Sequence, residues 1–188
     1  PIMIFGAVGG LVVALITIFK KHLAVYTTLI YAALEGLFLG GISRFYDMQF
    51  GDGIVGQAIF ITFAIFASLL FAYKTRIINP TENFKLGVFA ATAGIGLFYI
   101  ANILMRIFGY NIPIMNTTNP SMFSIGFSVF VVIIASLNLV MDFDFIEEGA
   151  ENGAPKYMEW YGAFSLLITL VWLYLEILRL LSKLQSRR

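Results

Sequence analysis

The chain is 188 residues long, 60% hydrophobic and only 12% charged, with a net charge of +1. So apolar a composition exceeds what a soluble domain of this length needs and points to a polytopic membrane protein. The near-neutral charge gives no footprint for nucleic acid, and the absence of cysteine excludes disulfides, thiolate metal sites and cysteine nucleophiles.

A spanning helix needs roughly 20 mostly apolar residues. Six segments qualify, at residues 2–19, 23–45, 54–73, 86–108, 122–141 and 163–181. The alternating pattern of a membrane barrel is missing, so every span is expected to be helical, which satisfies each backbone group within its own segment. The predicted fold class is an all-α integral membrane protein, one polytopic helical domain over 1–188. The sequence starts at Pro1 inside an apolar run, without the charged leader of a signal peptide. An N-terminal part, including one more span, is therefore expected to be missing.

The first span carries Gly6 and Gly10, and the second Gly36 and Gly40, at a spacing that suits close helix packing. Between these spans Lys20-Lys21-His22 makes a tight turn; the single histidine reads as a soluble cap and cannot build a histidine-rich metal site. Glu35 lies fourteen residues beyond Lys21, about 21 Å along its helix. The third span follows an acid- and glycine-bearing loop at 47–53. The fourth follows a loop at 74–85 that contains the Asn79-Pro80 breaker. A polar loop at 110–120 leads to the fifth span, which ends near Asn138, Asp142 and Asp144. An acidic stretch at 147–155 precedes the sixth, where Tyr157, Trp160 and Tyr161 suit an interfacial aromatic belt. Glu176 and Arg179 lie far along that last helix. Alternation puts Lys20, Lys21, Lys74, Arg76, Lys85 and Lys156 on one side, and Arg44, Arg106, Arg179, Lys183, Arg187 and Arg188 on the other. The counts are tied, so the positive-inside rule does not orient the chain.

Ionisable groups at membrane depth are costly and mark function by default. Glu35 and Asp142 are the deepest and have no adjacent base. Glu176 precedes Arg179 by three residues, which suits a same-face ion pair that would neutralise it near the membrane edge. Asp144 is turned about 200° from Asp142 on a helix; with Glu147 and Glu148 it forms an acidic face expected to be solvated at the interface. Its spacing is not that of an EF-hand loop. Asn138, one turn before Asp142, is either its hydrogen-bond partner or a link between helices.

The run Ala135-Ser136-Leu137-Asn138-Leu139-Val140-Met141-Asp142-Phe143-Asp144-Phe145-Ile146-Glu147 resembles the sixth-helix motif of the Bax inhibitor-1 family. Tyr161-Gly162-Ala163-Phe164-Ser165-Leu166 and Leu173-Tyr174-Leu175-Glu176-Ile177-Leu178-Arg179 resemble its last helix. Leu34-Glu35-Gly36-Leu37-Phe38-Leu39-Gly40 resembles a bacterial branch. The family has seven spans, so the resemblance implies that the first is missing here, and it implies the bacterial inner (plasma) membrane. Members are described as pH-sensitive calcium leak pathways and, in eukaryotes, as suppressors of cell death. In the channel-like members two aspartates, on the sixth and last helices, share a proton and latch the closed state.

Carried over residue by residue, the resemblance assigns the sixth-helix Asp to Asp142. An ungapped register from Ala163-Phe164-Ser165-Leu166 to Arg179 places Thr169 at the second Asp. Hairpin depth agrees, because Asp142 and Thr169 are equidistant from the turn at Pro155 and Lys156. Glu176 lies seven residues further, about 10 Å along the same stripe. Glu35 and Glu176, at similar depth, are expected to form a second acidic level above Asp142. Together Asp142, Glu35, Glu176 and Thr169 make the expected ion pathway or pH sensor, supported by Asn138, Arg179 and Asp144. Asp142 and Glu35 are the candidate ligands for a transported Ca²⁺, and no cofactor is expected. The partners are the bilayer, cations and protons. The rival reading is a non-conducting membrane interaction protein that regulates a membrane protease or a cell-death or stress partner. An enzyme is not expected: the last helix lacks the second Asp and its glycine motif, and no histidine lies at depth.

Overall fold

The computed structural model describes residues 2–51, 53–110 and 121–187. Its elements are helices α1 (Ile2–Phe19), α2 (Ala24–Phe50), α3 (Ile54–Lys74), α4 (Glu82–Ile107), α5 (Met122–Glu151) and α6 (Tyr157–Gln185). A short 3₁₀ turn, Lys21–Leu23, joins the first two. All six are long and apolar enough to cross a membrane, and the described residues contain no strand. The chain is an all-α polytopic membrane bundle.

Several helices outrun the apolar segments that define the spans. α2 continues to Phe50 and stops where Gly51 takes φ 92°, a conformation that favours glycine. α4 begins at the polar Glu82 because Thr81 caps it, its Oγ1 accepting from Phe84 N–H at 3.3 Å. α5 runs ten residues past the expected end at 141, through the acidic stretch to Glu151. Beyond 141, Asp144 and Glu147 are held by ion pairs to α4 and to the turn after α3, so apolar content alone does not mark the helix end.

Helix α6 is the axis of the bundle and packs against α5, α2 and α3. α5 and α6 are the most buried of the six helices and α1, α3 and α4 the least, so the first two form the core and the others face lipid. Lipid is as apolar as leucine, so close packing and interhelical hydrogen bonds hold such a bundle together. Leu139, Val140, Leu173 and Leu178 are fully enclosed between α5 and α6. Ser43 and Tyr174 share a 2.6 Å hydrogen bond between α2 and α6, and Thr28 Oγ1 donates to Trp160 O at 3.2 Å.

The two glycine pairs behave differently. On α1, a Cβ at Gly6 would stand 2.7 Å from Leu34 O and 2.8 Å from Phe38 N, so α1 and α2 are in backbone contact there. A Cβ at Gly36 or Gly40 would meet nothing within 4 Å, which corrects the packing reading for that pair. The α2 face that receives α1 carries Leu34, Glu35, Phe38 and Gly41, where a Cβ would stand 2.8 Å from Met3 Cβ.

Candidate functional site

A row of polar side chains follows one stripe of α6. Thr169, Glu176 and Lys183 are each seven residues apart, which repeats nearly the same direction after two helical turns. All three are buried, at 7%, 2% and 0% exposure. From Thr169 to Lys183 the row extends about 21 Å, most of a ~30 Å hydrocarbon core.

At its first level Asp142 comes in from α5. The Ser165 hydroxyl donates to Asp142 Oδ1, and Thr169 lies beside the same carboxyl. Oδ2 is enclosed and has no hydrogen-bond partner among the described residues. The antiparallel α5–α6 hairpin sets this level, turning through Gly153 at φ 64°. Thr169 therefore stands at Asp142, and among the described residues no second acid bonds to it. Asn138 does not reach Asp142: its Nδ2 donates to Thr92 Oγ1 at 2.7 Å and to Ile134 O at 2.8 Å, a link from α5 to α4.

The second level is a compensated charge cluster. Arg179 Nη1 lies 2.9 and 3.0 Å from the two Glu176 oxygens and donates to Tyr99 Oη at 2.8 Å. Tyr99 in turn donates to Glu176 Oε1, and Trp172 Nε1 does so at 3.3 Å. The guanidinium carbon lies 5.3 Å from the centre of the Tyr99 ring, a cation–π contact. The same-face ion pair is thus formed, but buried rather than at the membrane edge. Leu139 and Leu173, both at 0% exposure, lie between this level and Asp142 along their helices. They divide the row into separate polar compartments.

The third level was invisible to residue-type reasoning. Lys183 Nζ donates to Ser128 Oγ at 2.8 Å and to Ser124 O at 3.2 Å on α5. A lysine near a helix end ordinarily reads as a snorkelling flank. The available signal was its seven-residue spacing from Glu176.

Two expected members lie elsewhere. Glu35 sits between α1 and α2 beside Tyr31, with Oε1 2.8 Å from the position of a Gly10 Cβ. Among the described residues no hydrogen bond joins Glu35 to Asp142 or Glu176, so the structure does not assemble the expected second acidic level. Asp144 is not simply solvated: Oδ2 pairs with Lys85 Nζ at 2.7 Å, and Tyr73 donates to Oδ1 at 3.4 Å. Tyr73 also donates to Glu147, whose Oε1 pairs with Arg76 at 2.6 Å. The acidic face is tied to α3, α4 and the turn between them. No group of three or more His, Asp or Glu suited to a metal ion occurs among the described residues.

A helical bundle with ionisable groups threaded along its central helix belongs to the class of polytopic membrane proteins with a polar core. The model of the family described as Bax inhibitor 1 like matches residues 1–186, and the chain belongs to that family. Neither the curated proteins nor the solved structures compared with the chain gave a match.

Proposed function

We propose that this protein is a pH-sensitive cation leak pathway, with calcium as the favoured ion, drawn here in its closed state. The observation that carries the reading is Asp142: an enclosed carboxyl in the core, with Oδ1 held by Ser165 and Oδ2 unmatched. Buried polar atoms are normally paired, and an exception calls for a role. Ionised, the carboxyl is a hard oxygen ligand that attracts water and a cation. Protonated, it is neutral and compatible with a dry, closed core. Because Thr169 replaces the second acid, the gate works through a single carboxyl and two hydroxyls. The Glu176–Arg179 pair is the second closure, since its charges already neutralise each other. The protein acts without catalysis, and the bacterial inner membrane is its proposed location.

Reconstitution into calcium-loaded liposomes tests this reading. Flux is expected to rise with pH through the titration of Asp142, because deprotonation creates the ligand. Asp142→Asn is expected to hold flux low and remove its pH dependence, and an unchanged pH profile in that variant would sink the reading. The lack of a carboxylate pair favours a second reading, a non-conducting protein that regulates a membrane protease or stress partner. Absence of flux from the wild-type protein at every pH would select it.

A further inference from the structure

On the flank of the bundle a cleft of about 370 Å³ opens between α3 and α5, within the size range of small-ligand sites, roughly 300–1,000 Å³. Its inner part is apolar, lined by Phe66, Leu70, Phe143 and Leu166. Its outer end carries Lys74, Arg76 and Glu147. Lys74 closes the last turn of α3, Arg76 follows it and Glu147 lies near the end of α5, so this end is the membrane edge. The cleft is greasy along the direction of an acyl chain and cationic where a headgroup would stand.

The geometry points to an anionic phospholipid as the occupant of this cleft, its chain against Leu70 and Phe143 and its phosphate on Lys74 and Arg76. Lys74 is exposed and makes no ion pair among the described residues. Arg76 is 60% exposed and gives Nη1 and Nη2 to Glu147, at 3.2 and 2.6 Å. Glu147 engages both terminal nitrogens of the guanidinium, and a phosphate at the cleft mouth draws on the same group. Glu147 is also held by the Tyr73 hydroxyl, which fixes its carboxylate against Arg76. The Arg76 backbone supplies an independent observation. At φ 60° it is the one non-glycine residue with positive φ among the described residues, a conformation that carries a cost. The turn directs that side chain to the cleft mouth, and Asn79 Nδ2 holds it by donating to Arg76 O at 3.1 Å. A phosphate here competes with Glu147 for Arg76. The lipid therefore loosens the tie between the α3–α4 turn and α5, the helix that carries Asp142. The site goes beyond ion conduction and stands whether or not the protein conducts.

Native mass spectrometry of the full delipidated chain tests the site, using phosphatidylglycerol and phosphatidylcholine with identical acyl chains as probes. The wild type is expected to retain phosphatidylglycerol preferentially. Lys74→Gln with Arg76→Gln is expected to cut that retention about tenfold or more, from roughly a kilocalorie of attraction per basic residue. Glu147→Gln, which frees Arg76, is expected to raise it. That rise is a result that a merely structural role for the ion pair would not give. Equal retention of the two lipids by the wild type would overturn the proposal. Unchanged retention in the double variant, or no rise with Glu147→Gln, would do the same. Should the double variant fail to fold, the Glu147→Gln comparison decides alone.

Discussion

Replacing Arg179 by Met is expected to destabilise the bundle by about 3–5 kcal/mol, the cost of leaving one partner of a buried ion pair alone. Glu176 is 2% exposed, and its remaining donors would be Tyr99 and Trp172, neither of them charged. Arg179 also bonds Tyr99 and covers its ring, so the substitution removes packing as well as charge. Adding Glu176→Leu to the same chain should recover most of the loss, because a buried pair replaced by apolar residues is often neutral. Unfolding of the detergent-solubilised protein, followed by the fluorescence of Trp160 and Trp172, gives the double-mutant cycle. A double variant no more stable than Arg179→Met alone would show that the pair is not coupled as drawn.

The second large effect lies on the opposite side of α2. Gly6→Ala puts a methyl group 2.7 Å from Leu34 O and 2.8 Å from Phe38 N, atoms that no side-chain rotation can move. The expected result is displacement of α1 and a loss of about 2 kcal/mol, in the range for overpacking. Gly36→Ala and Gly40→Ala are the matched controls: their methyl groups meet nothing within 4 Å, and stability should hold or rise slightly. The chain has no cysteine, so a cysteine pair introduced across α1 and α2 near Gly6 reports the displacement directly. Unaltered crosslinking in Gly6→Ala would count against the close contact.

Much of the architecture was legible because a membrane imposes a coarse code. Continuous apolar runs gave the six spans, and the symmetric count about Pro155 and Lys156 put Thr169 level with Asp142. Helix ends were less legible. α5 continues through Asp144 and Glu147 because Lys85 and Arg76, far away in the sequence, pair with them. Such distant pairings leave no mark on local composition. Glu176 and Arg179, only three residues apart, could be paired on spacing alone. Their burial could not be read, since Tyr99 joins them from another helix. Glu35 misled for a related reason: depth along a helix does not say which face it occupies, and its face turns to Gly10. Lys183 was counted only among the terminal basic residues, although Ser128 and Ser124 enclose it.

The row on α6 has an acid end and a basic end. Asp142 stands at one and Lys183 at the other, with the Glu176–Arg179 pair cancelling itself between them. The core is therefore electrically polar from end to end, and in the proposed pathway its two ends would not be equivalent to an arriving ion. There a cation would meet a carboxyl first from one face and an amine first from the other. A proton travelling to Asp142 also crosses part of the transmembrane field, which is worth about 2.3 kcal/mol per charge per 100 mV over the full thickness. If Asp142 is the proposed gate, membrane voltage and the pH on each side would act on the same carboxyl, and an energised membrane would bias its protonation without any separate sensor.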